Sequence, residues 1–113
     1  MRALTEPISL DELEHIAENS VGNLVKAVVD IGRGVIALDA ELHSDLEAFL
    51  LNAGSLQKDL WGINLYPQFA QDDFIEFDSM INLRPSQGNL SRGVEDHNIR
   101  QLIISEVNKW IIR

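Results

Sequence analysis

The feature that most constrains this chain is its alternation of amphipathic helical segments with pairs of short apolar strands. Within 113 residues the pattern gives the order α-β-β-α-β-β-α. Because short turns join the paired strands, antiparallel pairing is favoured. We therefore predict a single α+β domain over residues 1–113, with a largely antiparallel four-stranded sheet and helices packed on one face.

Capping signals and apolar spacing define three helices. The first follows a capping-box sequence that starts at Ser9. The second begins with Ser44 or His43 near its N-cap, and Gly54 is a natural stop. Asp96 caps the last helix, whose apolar stripe comprises Ile99, Leu102, Ile103, Val107 and Trp110.

Apolar runs predict four strands. The first two, Leu24–Ile31 and Val35–Leu38, flank the turn signal Gly32–Gly34 and form a hairpin. The third, Leu60–Tyr66, alternates apolar and polar residues, as does the fourth, Phe74–Leu83. Each of these two strands therefore has one core-facing side and one polar side.

Charge and composition exclude several classes of protein. Nine basic residues against eighteen acidic ones give a net charge of −9, which opposes binding to nucleic acid. The absence of Cys excludes disulfides and thiolate metal sites. We find neither a signal peptide nor a membrane span, so we expect a soluble cytoplasmic protein without a membrane partner. No motif calls for a cofactor, and we predict none.

Four strings of residues carry a resemblance to a known family. They are Glu41–His43, Asp59–Pro67, Phe77–Asn89 and Ser91–Asp96. Together they resemble a family of small prokaryotic proteins described as domain of unknown function 5674. The resemblance covers nearly the whole chain and implies no particular activity, cofactor or partner.

Polar residues on the third and fourth strands form one candidate site. Across an antiparallel pair such residues converge, and two carboxylates there can divide acid and base roles. The alternative is a polar face that simply meets solvent. Asn and Asp are poor strand formers, which favours a function for part of this face. Its members are Asn64, Tyr66, Glu76, Asp78 and Asn82.

The loop Arg84–Gly93 is a second candidate, because arginines, hydroxyls and glycine-flanked amides suit an anion. The alternative is a plain connection whose arginines pair with nearby carboxylates. We predict a small-molecule (anion) binding protein or minor enzyme with its site where this loop meets the polar face. The predicted ligand-binding residues are Asn64, Asp78, Asn82, Arg84, Ser86, Asn89 and Arg92.

A metal site at Glu41, His43 and Asp45 is the third candidate. Their spacing would point them to one side of a continuing strand, with Asp78 nearby. A helix beginning near Ser44 breaks that alternation and makes the carboxylates first-turn residues at a helix dipole. We therefore predict no metal.

A function of a different class is protein–protein interaction. The last helix carries more apolar residues than one core-facing stripe requires. The alternative hypothesis is therefore a non-catalytic interaction module that forms a homodimer. It predicts that Ile104 or Ile111 contacts a partner chain.

Overall fold

The computed structural model describes residues 1–113. The α+β class is confirmed. None of the helices has the length and apolar character to cross a membrane. In chain order the elements are β1 (Arg2–Ala3), β2 (Ile8–Ser9), α1 (Leu10–Glu18), β3 (Val25–Asp30), β4 (Val35–Leu38), α2 (His43–Asn52), β5 (Leu60–Leu65), β6 (Ile75–Glu76), α3 (His97–Trp110) and β7 (Ile111–Ile112).

The main sheet has five strands in the order β1-β4-β3-β5-β6, one more than predicted. All of its pairs are antiparallel. The predicted hairpin of β3 and β4 is present, and at its turn Asp30 Oδ1 accepts hydrogen bonds of 2.9 Å from the N–H groups of Gly32 and Arg33. The additional strand, β1, is only two residues long. A segment this short shows no periodicity in sequence.

Helices cover both faces of this sheet, so the prediction that they pack on one face is wrong. Helices α1 and α3 cover the face that carries Trp61, Ile63 and Leu65. Helix α2 covers the opposite face, where its residues Leu46 and Leu50 pack against β3, β4 and β5. Strand β3 is buried along most of its length because both of its faces are covered.

Two of the three predicted helix caps are confirmed. Ser9 Oγ accepts from the Glu12 N–H, and Asp96 Oδ1 accepts from two N–H groups at the start of α3. Helix α2 instead begins at His43, and its N-cap residue Leu42 has no side chain that can accept a hydrogen bond. The first turn of α2 therefore lacks a capping side chain.

The fourth predicted strand, Phe74–Leu83, is much shorter than predicted. Strand β6 comprises only Ile75–Glu76. The chain then leaves the sheet and forms a 3₁₀ turn at Met80–Asn82. It crosses so close to β5 that a Cβ atom on Gly62 would lie 2.6 Å from Ser79 Cβ. The crossing therefore requires a glycine at this position of β5.

The last helix also ends earlier than its apolar pattern suggests. After Trp110 the chain extends as β7, which pairs in parallel with β2 through Ile8 and Ile111. Ile111 is 1% exposed and belongs to the core of its own chain. Ile111 therefore offers no surface to a partner chain, and of the two residues only the partly buried Ile104 remains a predicted contact.

Candidate functional site

A row of three polar side chains crosses the sheet on the face that α2 covers. Lys26 of β3 lies directly opposite Asn64 of β5, and Asn64 lies opposite Glu76 of β6. Because side chains alternate along a strand, Lys26 and Asn64 share the face of Val28, which packs against α2. The row lies beyond the apolar part of this face.

Asn64 is the central residue of this row and is 5% exposed. Its Nδ2 donates to Glu76 Oε1 at 2.8 Å and to the Asp78 carbonyl at 3.3 Å. Both of these oxygens can only accept, so Nδ2 must face them and Oδ1 must face away. Asn64 Oδ1 is buried and has no hydrogen-bond partner. A buried acceptor without a donor is rare in folded proteins.

His43, the first residue of α2, lies over the same part of the sheet. Its Nε2 is 2.8 Å from the carbonyl oxygen of Ile63, the residue before Asn64. A carbonyl can only accept, so Nε2 carries the proton, and in the neutral ring Nδ1 is an acceptor. Burial is the largest influence and lowers the pKa of His43, although the hydrogen bond to Ile63 raises it. The ring is therefore neutral at pH 7.

Charged groups surround His43. The cations Lys26 and Arg92 each favour the neutral ring and lower the pKa of His43, whereas Asp78 raises it. Arg92 Nε donates to Asp78 Oδ1 at 2.8 Å, in an ion pair that is about half exposed. Lys26 forms neither an ion pair nor a side-chain hydrogen bond.

Tyr66 completes the group through Glu76. Its hydroxyl donates to Glu76 Oε1 at 3.1 Å, the same oxygen that accepts from Asn64. Burial raises the pKa of Tyr66, and so do the hydrogen bond and the negative charges of Glu76 and Asp78. Tyr66 is therefore a hydrogen-bond donor at neutral pH. We call the following set the polar cluster: Lys26, His43, Asn64, Tyr66, Glu76, Asp78 and Arg92.

Two surface cavities adjoin the polar cluster. One of about 530 Å³ is lined by Lys26, by the chain before β3 and by the chain that leads into α2, which includes Asp39 and Glu41. The other, of about 430 Å³, is lined by Tyr66 and Glu76 with the stacked ring of Phe69. The polar cluster therefore extends from one cavity to the other, and a small molecule has room on either side.

The structure brings only three of the seven predicted ligand-binding residues into this cluster, namely Asn64, Asp78 and Arg92. Asn82 is fully buried and bonds to the backbone of β5 where β6 has ended. Its Oδ1 accepts from the Gly62 N–H at 2.8 Å, and its Nδ2 donates to the carbonyls of Gly62 and Arg92 at 2.9 Å each. The side chain of Asn82 thus replaces a neighbouring strand.

Asn89 and Arg84 are likewise occupied by internal bonds. Asn89 Nδ2 donates to three backbone carbonyls, and its Oδ1 accepts from the Glu95 N–H at 2.9 Å. Arg84 donates to the Leu60 carbonyl at 2.6 Å and to the Gln57 carbonyl at 2.5 Å. Burial lowers the pKa of Arg84, although the charge of Glu47 raises it.

Arg84 also stacks on an aromatic ring. Its guanidinium carbon lies 4.0 Å from the centroid of Trp61, a geometry that favours a cation–π contact. Ser86 is exposed in the next turn and forms no side-chain hydrogen bond. The polar atoms of the loop Arg84–Gly93 therefore serve mainly to fix the loop against the edge of β5.

The three residues weighed as metal ligands do not form a site together. Asp45 and Glu41 are exposed, whereas His43 turns inward to Ile63. No group of three or more His, Asp or Glu side chains has an arrangement that could hold a metal ion. The sequence pattern marked His43 as a possible metal ligand or helix cap, and its contact with Ile63 in the polar cluster was not predicted.

Lys26 was missed altogether. Its signal in the sequence is a lysine inside the otherwise apolar run Val25–Val29. A charged residue in such a run must reach the surface along a polar path or meet a partner. This observation alone would have identified Lys26 as a candidate functional residue. It would not have identified the residues that lie near Lys26 in the fold.

Comparison with known proteins gives one match. The profile of a family described as "Protein of unknown function (DUF5674)" matches residues 2–110. This confirms the resemblance carried by the four sequence strings. No curated protein and no solved structure matches the chain.

Proposed function

We propose that this chain, which belongs to the DUF5674 family, binds a small anionic molecule at the polar cluster. The observation that carries the proposal is that Asn64 Oδ1 is buried and accepts no hydrogen bond. Leaving such a group unpaired costs about 1–3 kcal/mol. A fold that retains it gains that energy back when a ligand supplies the donor.

Two cations favour a ligand with negative charge. Lys26 has no ion-pair partner, and Arg92 bonds to Asp78 only through Nε, which leaves its terminal N–H groups free. Lys26 lies opposite Asn64 in the sheet, and Arg92 is bonded to Asp78, whose carbonyl accepts from Asn64, so both cations adjoin Asn64. The net charge of −9 disfavours a polyphosphate, so we propose a small molecule rather than nucleic acid.

The same residues supply groups for chemistry. His43 Nδ1 is a neutral acceptor whose ring is held by the Ile63 carbonyl, as in a general base. Tyr66 is a donor, and Glu76 and Asp78 are carboxylates. We therefore extend the proposal to a minor enzyme that moves a proton on its ligand.

A thermal-shift screen against small carboxylates, nucleotides and divalent metals tests the proposal. We expect a small anion to raise Tm, and Arg92→Ala to weaken its binding tenfold to a hundredfold, as expected for a charge-assisted contact of about 1.5–3 kcal/mol. Lys58→Ala is the matched control, because Lys58 is an exposed cation outside the cluster. Equal binding by wild type and Arg92→Ala would contradict the proposal.

Self-association is a second candidate function, favoured by apolar residues on the surface. Leu102 of α3 is 50% exposed and Ile112 of β7 is 61% exposed. A homodimer that buries them would make the chain an interaction module. For either function we propose a cytoplasmic location, which cell fractionation tests.

A further inference from the structure

The cavity of about 430 Å³ beside Tyr66 has an aromatic wall. Phe69 stacks on Tyr66 with 5.4 Å between the ring centroids. The stacking covers one face of the Phe69 ring, yet Phe69 is 53% exposed, so the rest of its side chain meets solvent. Burying an exposed aromatic ring is favourable, and aromatic residues are enriched where proteins bind one another. Phe69 is therefore a candidate contact for a partner.

Three carboxylates complete the lining of this cavity. Glu76 Oε1 accepts from Asn64 and Tyr66, whereas Glu76 Oε2 accepts no hydrogen bond. Neither this carboxylate nor the other two forms an ion pair within the chain. Because their like charges repel one another, a cation placed among them would be stabilised. We call the following set the aromatic–acidic cleft: Tyr66, Phe69, Asp72, Asp73, Ile75 and Glu76.

The chain itself supplies no cation to this cleft. Residues 59–83 contain no Lys, Arg or His. Arg92 is paired with Asp78, and Arg113 lies over the ring of Phe74 in the adjoining cavity. The complementary charge must therefore come from another molecule. The net charge of −9 attracts basic molecules to the protein.

The chemistry of the cleft favours a guanidinium over an ammonium group. A guanidinium is planar, so it can stack on an aromatic ring while its N–H groups donate to carboxylates. An ammonium is a more strongly hydrated point charge and cannot stack. The chain already shows such stacking beside the cleft, where the guanidinium carbon of Arg113 lies 4.1 Å from the ring centroid of Phe74. An arginine side chain therefore matches both the ring of Phe69 and the carboxylates.

The shape of the surface indicates a peptide segment and not an isolated small molecule. Phe69 also lines a second cavity, of about 470 Å³, whose other lining residues include the apolar Leu10, Pro67 and Phe74. The two cavities therefore adjoin at Phe69. An extended segment can place an arginine in the acidic cavity and an apolar side chain in the other.

We propose that the aromatic–acidic cleft binds an arginine of an extended basic segment in a partner protein. The guanidinium stacks on Phe69 and donates to the three carboxylates. This interaction goes beyond the proposed function. It uses the acidic end of the polar cluster, where Glu76 is separated from Lys26 by Asn64, so it does not depend on the binding of an anion.

Three matched peptides and spermidine test the proposal on the whole chain. The peptides are acetylated and amidated Ala-X-Leu-Ala, in which X is arginine, lysine or citrulline, and citrulline keeps the shape of arginine without its charge. In titrations followed by two-dimensional NMR of the ¹⁵N-labelled chain, we expect the arginine peptide to shift the backbone amides of residues 68–76. The citrulline peptide should bind about tenfold more weakly, because it loses an exposed ion pair and a cation–π contact. The lysine peptide should bind with intermediate affinity, since it keeps the charge and loses the stacking.

A pair of double variants tests the carboxylates. Asp72→Asn with Asp73→Asn should weaken binding of the arginine peptide about threefold, because two exposed carboxylates lose their charge. Glu6→Gln with Asp45→Asn is the matched control, since it removes two exposed negative charges outside the cleft. The control should bind the arginine peptide as the wild type does. Equal binding by the two double variants would overturn the proposal.

A second pair of variants tests the ring. Phe69→Ala should weaken binding of the arginine peptide about threefold. Phe49→Ala, which removes an exposed ring outside the cleft, should leave it unchanged. Equal affinity for the arginine and citrulline peptides, shifts centred outside residues 66–76, or no binding at tens of millimolar overturns the proposal. Tighter binding of spermidine than of the arginine peptide at these residues also overturns it, and would identify a site for free polyamines.

Discussion

Replacing Asn82 with alanine tests how the loop after β6 is attached to the sheet. The Asn82 side chain is fully buried and makes three hydrogen bonds, two to Gly62 of β5 and one to the Arg92 carbonyl. Alanine can make none of them. The Gly62 N–H, which faces an edge that β6 no longer covers, would be left buried without an acceptor.

The expected loss of unfolding free energy follows from these contacts. A hydrogen bond in a protein contributes about 1 kcal/mol net, so three give about 3 kcal/mol. The unpaired Gly62 N–H adds a desolvation cost, which places the total at about 3–4 kcal/mol. Small proteins have unfolding free energies of about 5–15 kcal/mol, so Asn82→Ala removes a large fraction of the stability.

Urea unfolding followed by Trp fluorescence measures this loss, because Trp61 is in the core beside the loop. The midpoint should fall by about 2 M urea at an unchanged slope, given slopes of about 1–3 kcal/mol per molar. Ser86→Ala is the control, since this exposed hydroxyl makes no bond, and it should change stability by less than about 0.5 kcal/mol. A loss below about 1 kcal/mol for Asn82→Ala would refute the assignment of Asn82 as a substitute for a strand.

Three further predictions concern single side chains. Burial lowers the pKa of His43 in the folded state, so protonation of the ring favours unfolding. The contribution of His43 to the unfolding free energy is therefore fully present above pH 6.5, and it falls as the pH decreases towards the folded-state pKa. The variant His43→Gln, whose side chain can still donate to the Ile63 carbonyl, should therefore lose less unfolding free energy than wild type when the pH is lowered from 7.5 to 5.5. An equal loss in both proteins would contradict the assignment of a lowered pKa to His43. Gly62→Ala should destabilise by about 1–3 kcal/mol in urea unfolding, because its Cβ would lie 2.6 Å from Ser79 Cβ, and an unchanged midpoint would show that the crossing relaxes freely. Leu102→Glu should leave the fold intact and lower any self-association seen by light scattering, whereas a wild-type monomer at tens of micromolar would exclude the dimer.

The helices and the central hairpin were predictable from local chemistry. Ser9 and Asp96 cap their helices through contacts two or three residues away, so the sequence contains both partners. The start of α2 was harder to place, because Leu42 offers no capping group. The packing of helices on both faces of the sheet was not predicted. It depends on the face against which α2 packs, and local sequence patterns do not determine this.

The candidate site was only partly predictable for the same reason. Asn64 and Asp78 were recognised because polar residues on a strand face ask for an explanation. The structural role of Asn82 was not predicted. An alternating pattern indicates a strand, and it cannot show that the chain has left the sheet and bonds to the strand through one side chain. Lys26 and His43 join Asn64 through strand register and helix placement, which are long-range properties.

The pairing of β2 with β7 affects how the protein is made. Ile8 meets its partner Ile111 about a hundred residues later, and this contact lies at the start of α1. On the ribosome, the start of α1 therefore lacks this contact until residue 111 has been synthesised. Closing so long a loop slows folding. A chain that stalls before residue 111 would leave Ile8 and the adjoining core uncovered, which makes it a substrate for chaperones and proteases.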